Sequence, residues 1–106
     1  MLKDILKQCV LKKVQLTDKV RLGNMEIEFF HQNHSIPDSM GIVVRTKAGT
    51  VVHTGDFKFD FNPAYGPPSD FQRIAEIGKR GVTILVSEST NAPIPGHTIS
   101  EKIIAE

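Results

Sequence analysis

The sequence predicts one α/β domain, or a piece of one. Three observations predict it: β-branched residues dense across Gly41 to Phe57, a capped amphipathic helix beginning at Ser69, and a continuous apolar run from Val82 to Val86. A chain of 106 residues buries roughly 60 to 68% of its unfolded surface, which suffices for one modest core and not for two.

Taken in order, Leu2, Ile5, Leu6 and Cys9 recur at helical spacing and predict a short first helix, with Cys9 half-buried on it. Lys13 to Leu16 and Met25 to Phe30 read as strands, separated by a polar turn around Asp18 and by Gly23-Asn24. Within the second, Met25, Ile27 and Phe29 alternate with Glu26 and Glu28, so the apolar set is expected inside and the carboxylates in water. Gly41 to Phe57 reads as a hairpin turning at Lys47-Ala48-Gly49. Asn62-Pro63, Gly66 and Pro67-Pro68 describe a loop.

Ser69 with Gln72 forms a capping box ahead of the stripe Phe71, Ile74, Ala75 and Ile77, and Lys79-Arg80 before Gly81 supplies the stop. The run Val82 to Val86 suits an interior strand covered on both faces. Thr98 with Glu101 opens a further helix through Ile99, Ile103 and Ile104, and the absence of a glycine or asparagine stop before Glu106 reads as a cut helix. No internal repeat or low-complexity tract interrupts the chain.

Composition narrows the class. With 40% hydrophobic and 24% charged residues and a net charge of +1, the chain is neither collagen-like, disordered nor strongly nucleic-acid-coating. The first 21 residues hold six bases against two acids, a stretch that suits a solvated surface better than a polyanion site. No apolar run approaches the roughly 20 residues of a membrane span, and Asp4, Lys7 and Gln8 interrupt any signal-peptide core, so a cytoplasmic location is expected. The lone Cys9 has no cysteine partner for a disulfide or a zinc finger.

Chemistry is expected where strands deliver polar groups to loops. His34, Asp56 and Glu88 each follow a strand-like stretch. An imidazole and a carboxylate sharing a cleft suit zinc or manganese, and a carboxylate can bridge two cations about 3.5 to 4 Å apart. Spacing alone does not force such convergence. His31 and His53 are expected to pack or hydrogen-bond, and His97 to serve a turn or cap. Phe57, Phe59 and Phe61 alternate, a pattern more often of packing than of base stacking. No P-loop, dinucleotide fingerprint or nucleophile elbow is present.

Three longer motifs carry more information: NHSIPDS at Asn33 to Ser39, HTGDFKFD at His53 to Asp60, and SESTNAPIPGHTISE at Ser87 to Glu101. Together, and in this order, they resemble ribonuclease J, a family in the β-CASP branch of the metallo-β-lactamase fold. The resemblance implies part of an αββα sandwich, with a mixed or antiparallel sheet and helices on its outer face. It implies that residues 1–90 are the later part of a metallo-β-lactamase-like core and 91–106 the start of the β-CASP region. It also implies that His34 binds a metal, that Asp56 bridges two, and that Glu88 is the catalytic acid at the β-CASP boundary, orienting a histidine of the β-CASP region that is a candidate proton donor to the leaving oxygen. Ser35, Asp38, Ser39, Lys58 and Asp60 would be supporting loop residues.

By the same resemblance the intact protein would hold two zinc ions, with manganese as the other candidate. It would hydrolyse RNA phosphodiesters in endonuclease or 5′-to-3′ exonuclease mode and act as a homo-oligomer. The HxHxDH motif that supplies most ligands in that family does not occur within these residues, so the chain reads as an internal fragment, inactive alone. Two alternatives remain open: a non-catalytic module binding RNA or protein on the same scaffold, and a hydrolase of this fold with another substrate.

Overall fold

The computed structural model describes residues 2–34, 38–58 and 67–96. The expected helix at Thr98 to Glu101 and beyond, His97, and the residues Ser35, Phe59, Asp60 and Phe61 lie outside them. The described part is α/β: a five-stranded mixed sheet and two helices, in the chain order α1, β1 to β4, α2, β5.

The first helix, α1 (Leu2–Gln8), places Asp4 in its first turn and Lys7 in its last, both complementing the helix dipole. Cys9 falls just beyond it and is exposed, not half-buried on the helix as expected. The strand expected at Lys13 to Leu16 is also absent. There the Asp18 carboxylate accepts from the Gln15 N–H at 2.8 Å and the Asp18 N–H donates to the Gln15 carbonyl. This local turn competes with pairing. Pairing starts instead at β1 (Lys19–Leu22), which joins β2 (Met25–His31) through Gly23-Asn24, with Gly23 at the positive φ of 59° that such a short loop needs.

The second hairpin forms as the sequence predicts: β3 (Met40–Thr46) and β4 (Gly49–His53), with Thr46 facing Gly49. The Thr46 hydroxyl secures the turn by accepting from the Ala48 and Gly49 amides. Strand β5 (Ile84–Val86) pairs parallel to β4. A parallel pair needs a crossover, and helix α2 (Phe71–Arg80) lies in it. Its cap is Asp70, one residue after the expected Ser69; the Asp70 carboxylate accepts from the Arg73 N–H at 3.0 Å. Lys79, Arg80 and Gly81 end it as predicted.

Helix α2 covers one sheet face. Phe30, Val43, Val52 and Ile77 form the core there, with Ile74 packed against them. The cross-strand register carries Lys19, Glu28, Val43 and Val52 along that same face. This reverses the expectation for β2. Glu28 is buried, whereas Met25 is exposed. The reason is tertiary: the helix side supplies Lys19, Arg45 and Arg73 as partners for the carboxylate. The opposite face carries Leu22, Met25, Ile42, Ile84 and Val86, all exposed. Strand β5 is accordingly exposed along its whole length, not covered on both faces. Among the described residues no helix is long and apolar enough to cross a membrane.

Candidate functional site

Strand direction brings the loops together. Strands β2 and β4 both run antiparallel to β3, so they run the same way, and β5 runs parallel to β4. Their C-terminal ends therefore share one edge of the sheet, the edge at which α/β folds usually bind ligands. His34 follows β2, Asp56 follows β4 and Glu88 follows β5.

Hydrogen bonds tie these loops. The Lys58 N–H donates to the Asn33 carbonyl at 2.7 Å, and the Asn33 side-chain amide donates to the Lys58 carbonyl at 3.3 Å. The Thr54 N–H donates to the Val86 carbonyl at 3.0 Å, extending the β4–β5 pairing toward the edge. Glu88 accepts from the Thr90 N–H at 3.0 Å through one carboxylate oxygen and from the Phe57 N–H at 3.5 Å through the other. Hydrogen bonds from the Thr90 amide and hydroxyl hold the Glu88 carboxyl below its ordinary range against the opposing effect of desolvation, and the Phe57 amide adds to them.

Asp56 is exposed and sits one residue before the amide that reaches Glu88. It follows Gly55, whose φ of 61° is left-handed and whose added Cβ would lie 3.2 Å from the Met40 carbonyl. The His53 Nδ1 accepts from the Gly55 N–H at 3.0 Å. His31 Nε2 meets the Pro67 carbonyl at 2.9 Å, an arrangement in which the ring nitrogen donates. Both histidines therefore hydrogen-bond, as expected. Asp38 turns the chain at a φ of 61°, a conformation aspartate tolerates, and the Ser39 carbonyl accepts from the Gln32 N–H. Phe57 is half-buried.

Nothing in the sequence marks Gln32 and Asn33, and Ser69 reads there as a helix cap; all three are buried although polar. The Ser69 hydroxyl accepts from the Asn33 N–H at 2.8 Å, so the entry to α2 is fastened to the residue before His34. Gln32 donates to the Thr54 carbonyl at 3.3 Å. Polar residues in a loop read as solvated; only their burial reveals the role.

An imidazole and a carboxylate at one sheet edge fit zinc or manganese in kind. They do not fit in number, since a catalytic zinc takes about three protein ligands. Among the described residues no group of three or more histidine, cysteine, aspartate or glutamate side chains gathers to hold an ion. Any complete site would need ligands beyond these.

No family model matches the chain. It is similar to the ribonuclease J 1 of Streptococcus pyogenes, 43% identical over 94% of this chain and 18% of that protein. It is likewise 43% identical to the ribonuclease J of Thermus thermophilus, over 91% of this chain and 17% of the other. For the ribonuclease J of Helicobacter pylori the identity is 45%, over 89% and 14%. The chain thus spans less than a fifth of the length of the curated relatives it matches.

Proposed function

We propose, from the premise that this chain is a stretch of ribonuclease J family sequence, that the intact protein hydrolyses RNA phosphodiester bonds and that this stretch supplies part of its metal-binding edge. One observation carries the assignment of residues: the parallel directions of β2, β4 and β5 deliver the loops of His34, Asp56 and Glu88 to a common edge. In this reading residues 1–90 belong to a metallo-β-lactamase-like core and 91–106 begin a β-CASP region.

His34 would donate an imidazole nitrogen to one ion, and Asp56, exposed and carrying two oxygens, would bridge a pair, zinc first and manganese as the alternative. Such ions acidify a water toward neutrality and offset phosphate charge. Glu88 works on the protein side. Its carboxylate, which accepts from the Thr90 and Phe57 amides, steadies the loop that presents Asp56.

The test is to replace His34 and Asp56 singly by alanine in the intact protein and to measure bound metal and RNA hydrolysis together. Replacing residues that only support ligands already costs roughly 10- to 100-fold, so each variant is expected to lose at least that much metal affinity and activity. The 106-residue chain alone is expected to be inactive. Full activity in either alanine variant, or hydrolysis of RNA by the short chain, overturns the assignment. Retention of RNA binding by an intact protein that never hydrolyses RNA would favour a non-catalytic module.

A further inference from the structure

The geometry points to Asn33 as a positioning residue that sets the His34 loop against the Asp56 loop. Asn33 is 2% exposed, and its bonds reach two separate elements. Its N–H donates to the Ser69 hydroxyl at 2.8 Å, at the entry to α2. Its carbonyl accepts from the Lys58 N–H at 2.7 Å, while its side-chain amide donates to the Lys58 carbonyl at 3.3 Å. One residue therefore holds both polar groups of one peptide position, which fixes translation and rotation together.

Position makes this clasp consequential. Asn33 immediately precedes His34, and Lys58 lies two residues after Asp56. An apolar side chain of similar size would fill the same volume but leave the Lys58 carbonyl without its donor, and a shorter one would also leave a gap. A solvated loop would not need either partner buried. The low exposure of Asn33 and Ser69 says that the clasp is built into the fold and does not rest on its surface. The inference rests on the metal-binding reading above for its purpose, though not for its geometry.

The experiment uses the intact protein with zinc as the probe. Zinc affinity, amide exchange across residues 55–58 and steady-state hydrolysis of RNA are measured for Asn33→Ala and for Asn33→Asp, which keeps the size and sets an oxygen against the Lys58 carbonyl. His34→Ala and Asp56→Ala serve as references, and Val43→Ala, a pure core truncation, reports what lost stability alone does. Expected are faster exchange at 55–58, about tenfold or more weaker zinc binding, and a fall in kcat with KM for RNA unchanged in both Asn33 variants, with zinc affinity unchanged in Val43→Ala. Should both Asn33 variants bind zinc as the parent does while His34→Ala and Asp56→Ala lose it, the clasp has no positioning role and the functional reading survives. Zinc affinity untouched by His34→Ala and Asp56→Ala would remove the functional reading itself.

Discussion

Glu28 keeps only 2% of its surface in solvent and meets Arg73 at 2.7 Å, Lys19 at 3.4 Å and Arg45 at 3.6 Å. Burial pushes its carboxyl up. The charges of Arg45 and Arg73, with Lys19 adding to them, outweigh burial and hold the group below its ordinary range. A carboxyl depressed by folding contributes stability above its unfolded value, and that contribution is lost as pH falls through the folded one, because the unfolded chain takes up the proton first. Glu28→Gln is expected to cost about 1.5–3 kcal/mol at neutral pH, the range for hydrogen bonds to charged groups. It should also flatten the loss of stability below pH 4.5. Urea unfolding of both proteins at neutral and acid pH measures this; parallel losses on acidification would show that Glu28 does not govern the acid limb.

Hairpin β3–β4 and its neighbour β2 depend on a close approach. Phe30 faces Gly41 across the strands, and its ring occupies the space where a Cβ at Gly41 would project. The same ring belongs to the core with Val43, Val52 and Ile77, beneath helix α2. A valine at position 41 has the better strand propensity in isolation. In this register it would displace the ring from the core, and overpacking of that kind costs roughly 1–3 kcal/mol. Gly41→Val is therefore expected to lower Tm by several degrees, at about 4–8 °C per kcal/mol for a domain of this size, as followed by circular dichroism. An unchanged or raised Tm would mean that the ring moves aside at no cost.

The molecule as a whole is one-sided. Helix α2 packs over the face bearing Phe30 and Val43, while Leu22, Met25, Ile42, Ile84 and Val86 on the other stay 38–53% exposed. A contiguous apolar surface of this kind favours association. The 106-residue chain alone is expected to self-associate with rising concentration in sedimentation velocity. Ile42→Lys with Ile84→Lys is expected to shift it toward monomer without altering its circular dichroism. A parent chain that sediments as a monomer throughout would show that the face is tolerated in water.

The α/β class, the hairpin turning at Lys47 to Gly49, helix α2 with its Gly81 stop, and the delivery of His34, Asp56 and Glu88 to loops after strands are legible in the residues alone. These are local matters: turn chemistry, helical period and β-branching act over a few residues, and each is written where it acts. The start of pairing at Lys19 and not at Lys13 is also local, set by the turn between Gln15 and Asp18, whereas tertiary structure set the Ser69 hydroxyl against Asn33, with Asp70 capping α2, and turned Glu28 inward and Met25 out. It also decided the buried roles of Asn33 and Ser69, whose partners lie 25 and 36 positions away along the chain. The reason is the same in each case. A polar side chain is content in water or in a satisfied interior, and only the groups that the folded chain sets opposite it choose between them.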